Sequence, residues 1–179
     1  LEKLKESHGV TMVWRSYELR PAGAPPMPES YKARIMAARP QFEAMAKAQY
    51  GIEINSGKFG INSRPALVGA KYAEKHGKGD AYHAAMFRAY WQEAQDISDA
   101  AVMAQVAHSV GLDESAFLAS LDDSALENEV NQDILQAQMF QISGVPALVF
   151  INKYLIPGAQ PYDELVRVVD YIRQREIKS

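Results

Sequence analysis

The chain has 179 residues and a mass of 19.9 kDa, with 47% apolar and 23% charged residues. That suits one domain, or one domain carrying an insertion, and excludes a wholly disordered chain, a collagen or a coiled-coil rod. Its 19 basic and 22 acidic residues leave a net charge of -3 with no like-charge block, which argues against a nucleic-acid face or a polybasic membrane anchor. No apolar run approaches the ~20 residues that span a bilayer. Cysteine is absent, so disulfides, Cys-ligated zinc, iron–sulfur clusters and thiol chemistry by these residues are excluded.

Leu1 and Leu4 stand at helical spacing and Gly9 reads as a stop, so the chain opens on the tail of an amphipathic helix without a start. An upstream piece of the same fold is therefore expected. Val10 to Leu19 is rich in β-branched and aromatic residues and reads as a strand. Arg20 to Pro28 holds four prolines and Gly23, an extended linker and an expected boundary.

From Glu29 to about Gln141 the pattern is helical. A first helix is expected over Ser30 to Gln49, broken or kinked near Arg39 because Pro40 follows. A second covers Pro65 to His76 and a third Ala81 to Glu93. Ser98 is expected to cap a fourth, Asp113 a fifth, and the capping box Ser124-x-x-Glu127 a sixth.

The pattern then changes. Ser143-Gly144-Val145-Pro146 is a turn, and Ala147 to Ile151 a short apolar strand. By itself Pro146 fits a trans proline opening an edge strand as well as a cis one. Asn152-Lys153 can make a two-residue hairpin turn, returning through Tyr154 to Ile156. Pro161 opens a last helix with Leu165, Val168, Val169 and Ile172 on one face.

A strand, a long helical block, a hairpin and a final helix resemble the thioredoxin plan. Gly144-Val145-Pro146 before a strand is similar to that superfamily's cis-proline loop. Trp14 to Pro21, Phe87 to Trp91 with Asp96-Ile97, and Gly158-Ala159-Gln160-Pro161 resemble the FrnE-type branch of the DsbA proteins. The fold class implied is α/β: a thioredoxin-like fold with a large all-helical insertion, its first strand missing from these residues. Residues 1–28 and 142–179 would form the thioredoxin-like domain and 29–141 the helical one.

The resemblance implies a thiol–disulfide oxidoreductase whose Cys-x-x-Cys lies upstream of Leu1, so no catalytic residue maps onto the chain. A related branch, the glutathione-dependent isomerases and transferases, uses serine at the first of those positions. A cysteine-less member would be a peptide-binding module. Without the first strand, Val10–Leu19 and Ala147–Ile151 would lack a shared neighbour, and unpaired buried backbone groups cost roughly 1–3 kcal/mol each.

Implied substrate-binding residues are Gly144, Val145 and Pro146, the backbone of Val145 pairing with an extended substrate. Trp14 and Asn62 are further candidates. Core packing competes for Trp14, as for Tyr90 and Trp91, and loop capping by an Asx-turn competes for Asn62. His8, His76, His83 and His108 form no metal-binding spacing. The expected partners are a thiol or disulfide protein or a small thiol, with glutathione as substrate in the related branch. Neither a cofactor nor a metal, nucleic acid or membrane is expected, and the FrnE-type likeness implies a cytoplasmic protein.

Overall fold

Regular structure among the described residues consists of eight helices and one β-hairpin. The computed structural model describes residues 1–55 and 57–176. In chain order the elements are α1 (Glu2–His8), α2 (Glu29–Tyr50), α3 (Arg64–Lys75), α4 (Gly79–Trp91) and α5 (Ala100–Ser109). Then come α6 (Glu114–Ser120), α7 (Ser124–Met139), β1 (Ala147–Phe150), β2 (Tyr154–Pro157) and α8 (Tyr162–Glu176). No helix of the described residues is long and apolar enough to cross a membrane.

Two compact units divide the chain: Leu1–Leu19 with Asp133–Ser179, and Arg20–Gln132. The divisions fall at 19/20 and 132/133, not at the 28/29 and 141/142 read from sequence, and residues 177–179 lie outside the described residues. The proline-rich stretch goes with the helical unit, where the Arg20 guanidinium closes a local ring by donating to the Pro25 carbonyl. The second half of α7 goes with the other unit because Asp133 is tied to the segment before Leu19, as described below.

The helical unit is built on α3, α4, α5 and α6. Its core holds Ala73, Tyr82, Ala89, Met103, Ala107 and Phe117, all 2% exposed or less. Alanines at these contacts let helix axes approach, and Tyr82 and Phe117 fill the space between them. The break expected near Arg39 does not occur: α2 runs unbroken through Pro40. Proline removes one backbone donor, but the ladder on either side continues, and an Arg39–Glu43 ion pair (Nε–Oε1 2.8 Å) spans the gap.

Asp113 caps α6, its carboxylate accepting from Ala116 N–H. The other two expected caps move by one residue. Asp99, not Ser98, caps α5 by accepting from Ala101 N–H at 2.8 Å, while Ser98 turns to Asp96. Asp123, not Ser124, accepts from Ala125 N–H at 2.7 Å at the start of α7. A carboxylate brings a full negative charge to the positive end of the helix dipole, which a hydroxyl does not.

In the other unit, Leu4 of α1 and Leu165 and Val169 of α8 form a small core, with Val10, Leu148 and Phe150 against it. β1 and β2 pair antiparallel, Phe150 opposite Tyr154 and Ala147 opposite Pro157. The hairpin connection is three residues, 151–153, not the two expected, because Ile151 leaves the strand. Lys153 N–H closes the turn on the Phe150 carbonyl at 3.0 Å. Ile151 and Asn152 both take positive φ, 47° and 55°. This is the mirror-image turn that suits strand twist, at a steric cost for a β-branched residue.

The strand expected over Val10–Leu19 is absent from the sheet: among the described residues β1 pairs with β2 alone. The composition produced half of a strand's character. Met12, Trp14 and Ser16 are shielded while Thr11, Val13 and Arg15 are exposed, an alternation of period two. A ladder also needs a neighbouring backbone, which composition cannot supply. Instead Ser16 N–H donates to Asp133 Oδ2 at 2.8 Å, and Arg15 Nη1 to Asp133 Oδ1 at 3.1 Å.

Candidate functional site

The site is built where α7 ends. Ile142 N–H returns to the Ala137 carbonyl and Gln141 N–H to the Gln138 carbonyl, both at 2.9 Å. That is the paired closure of a helix whose next residue turns left-handed, and Gln141 has φ 56°. The chain then crosses Ser143, Gly144, Val145 and Pro146 to enter β1, and the Val145–Pro146 peptide bond is cis.

Both ends of this crossing are pinned. Tyr17 Oη donates to the Ile142 carbonyl at 3.3 Å, and Gly158 N–H donates to the Pro146 carbonyl at 2.8 Å. Between the pins, Val145 is 51% exposed. A Cβ placed on Gly144 would meet nothing within 4 Å.

A cleft of about 290 Å³ follows, lined by residues 141–147 and by Leu155, Pro157 and Gly158. No side chain in that lining carries a charge, and Gln141 and Ser143 are its only polar side chains. The lining comes from the loop 141–146 and from the hairpin residues Ala147, Leu155 and Pro157 with Gly158. Such a cleft suits an extended, uncharged chain that hydrogen-bonds through its own main chain.

Of the residues singled out from sequence, Gly144, Val145 and Pro146 come together here. Trp14 belongs to the same unit but is half-buried and outside the lining. Asn62 belongs to the helical unit, and its Oδ1 accepts from Arg64 N–H at 3.0 Å, the Asx-turn geometry that caps a loop. Tyr90 and Trp91 pack edge to face at 4.9 Å between ring centres, and Trp91 also meets Phe42.

The histidines have local partners. His8 meets Ser7, His76 the Tyr72 carbonyl, His108 Glu114 and His83 the Phe87 ring. Among the described residues no three His, Asp or Glu side chains gather to hold a metal. Gln141 escaped the sequence reading: nothing in Met139-Phe140-Gln141-Ile142 announces a left-handed residue.

Three comparisons bear on this geometry. An uncharacterised Bacillus subtilis protein, YwbO, is 27% identical over 174 residues, covering 94% of this chain and 85% of that one. A "probable DsbA oxidoreductase" from Streptomyces coelicolor superposes with a TM-score of 0.81 at 25% identity, covering 93% of this chain and 79% of its own. A 2-hydroxychromene-2-carboxylate isomerase shares the fold, with a TM-score of 0.77 at 22% identity over 99% of this chain and 89% of its own. Residues 1–170 match the family described as the DSBA-like thioredoxin domain. The chain therefore belongs to the DSBA-like thioredoxin domain family, with that fold and a mostly helical content.

Proposed function

We propose that these residues are the substrate-docking body of a thiol–disulfide oxidoreductase of the DsbA/FrnE type, acting on protein or small-thiol substrates. With no cysteine among the 179 residues, the redox pair is supplied from outside them. In that chemistry a thiolate of the reduced substrate attacks one sulfur of the enzyme disulfide. The mixed disulfide is then resolved by the substrate's second thiolate, or by a second molecule of a small monothiol, leaving the substrate as a disulfide and the enzyme as a dithiol.

The observation that carries the reading is the uncharged cleft at Gly144-Val145-Pro146, with Val145 half exposed. Its backbone serves as a short docking strand for the substrate segment that flanks the reacting sulfur. The same lining weighs against the glutathione-dependent isomerase reading, since glutathione carries two carboxylates and an ammonium and the lining offers no charged partner. The FrnE-type likeness alone supports cytoplasmic action.

Peptide mapping of the natural protein separates the readings. A Cys pair ahead of Leu1 supports the oxidoreductase, a serine there supports the isomerase, and neither leaves a peptide-binding module. The docking role has its own test in Gly144→Val. The new side chain enters open space, so the melting temperature stays within about 2 °C of the parent, as expected for a surface change. A β-branched side chain at this lining position is expected to obstruct the cleft, raising KM for a dithiol peptide about tenfold, or about 1.4 kcal/mol. An unchanged KM would remove this cleft from substrate binding.

A further inference from the structure

Among the described residues, four other than glycine have positive φ, Ala94, Gln141, Ile151 and Asn152, and of these Gln141 alone lines the cleft. Left-handed backbone suits glycine and, next, asparagine; a glutamine there is disfavoured. The chain shows the cheaper solution elsewhere. α5 closes with the same two bonds, Leu112 N–H to the Ala107 carbonyl and Gly111 N–H to the His108 carbonyl, and its left-handed residue is Gly111 at φ 81°. α1 and α2 likewise end on Gly9 and Gly51.

The side chain that bears this cost has no structural use in return. Gln141 is exposed, and its carboxamide makes no hydrogen bond to any described residue. It stands in a lining whose other polar side chain is Ser143. A carboxamide both donates and accepts, which matches the paired donor and acceptor of a peptide group.

We propose that Gln141 is a specificity-determining residue of the cleft: its carboxamide hydrogen-bonds a main-chain amide of an extended peptide substrate. This rests on the docking reading of the cleft. Substrates with a peptide group at that position are favoured over small thiols without one. The unfavourable backbone at residue 141 is retained because glycine there would remove the carboxamide.

The test pairs two variants of the natural protein with a fluorescein-labelled, uncharged eight-residue peptide carrying a central serine, read by fluorescence polarisation. Gln141→Ala keeps the backbone cost and deletes the carboxamide; Gln141→Gly deletes both. Both variants are expected to bind about fivefold more weakly, the equivalent of one ordinary hydrogen bond. Gln141→Gly is also expected to melt about 2–4 °C higher, whereas Gln141→Ala is not. A parent that binds, with both variants binding equally well, would overturn the proposal and leave the docking reading standing. A parent that does not bind would overturn both.

Discussion

Replacing Gly69 by alanine is expected to destabilise the helical unit by about 3 kcal/mol, read from the urea midpoint at unchanged m-value. Helix propensity points the other way, since alanine in a helix interior is favoured over glycine by ~1 kcal/mol. Packing decides the sign. A Cβ on Gly69 would sit 2.6 Å from Tyr82 Oη and 2.7 and 2.9 Å from two atoms of the Phe117 ring. Those side chains are 1% and 0% exposed, so neither has room to retreat. Relief requires helices to part, and a packed core resists that.

Tyr82 makes the same region informative from the other side. Its hydroxyl is buried without a hydrogen-bond partner among the described residues, and burial pushes the phenol's pKa up. Tyr82→Phe removes an unsatisfied polar atom and keeps the ring, so it is expected to be neutral or stabilising by about 1 kcal/mol. Combined with Gly69→Ala it should recover part of the loss, because Oη is the nearest obstacle and the Phe117 contacts remain. A Gly69→Ala protein as stable as its parent would show that α3 does not approach Tyr82 this closely.

Asp133→Ala is the second large effect, also about 3 kcal/mol. Asp133 is 5% exposed and accepts from the Ser16 amide, itself on a residue 4% exposed. Removing the carboxylate strands that amide in the interior, where an unpaired donor costs ~1–3 kcal/mol, and adds a small cavity. Its second partner, Arg15, has a side chain 57% exposed and recovers water in Asp133→Ala; Arg15→Ala keeps the Ser16 hydrogen bond but takes the cation from a buried carboxylate, so it should cost about 1–2 kcal/mol, less than Asp133→Ala. Asp133→Asn keeps an acceptor for Ser16 and should fall between the two. Equal losses for Arg15→Ala and Asp133→Ala would shift the weight from the Ser16 hydrogen bond to the ion pair.

These positions mark what could be read from residues and what could not. Periodicity located the helices of the insertion, because burial of one face leaves a trace in spacing: Tyr82, Met86 and Ala89 face inward on α4 as their intervals require. Gly144-Val145-Pro146 was legible because a turn dipeptide stood before an apolar run. Three things were not. Adjacent Ser98-Asp99 and Asp123-Ser124 each offer two caps, and only the folded geometry chooses between them. The ladder expected of Val10–Leu19 depends on a neighbour, not on its own composition. The left-handed turn at Gln141 is imposed by the closing bonds of α7, not by local preference. Under the proposed function the same holds for the chemistry: the cleft is encoded in these residues and the reacting sulfurs are not.

The way α2 is held has a consequence for how the chain ages in solution. This helix of 22 residues buries a single side chain, Ala46. Its aromatic and methionine side chains Tyr31, Met36, Phe42 and Met45 are about half exposed. Little core is lost when such a helix opens, so its amides should exchange with deuterium well before those of α3 or α5. Lys32, Arg34 and Lys47 then offer trypsin its earliest cuts among the helices, and cleavage there should precede any loss of the Tyr82–Phe117 core. Turnover of the protein would begin in this helix, at a rate set by its own opening and not by global unfolding.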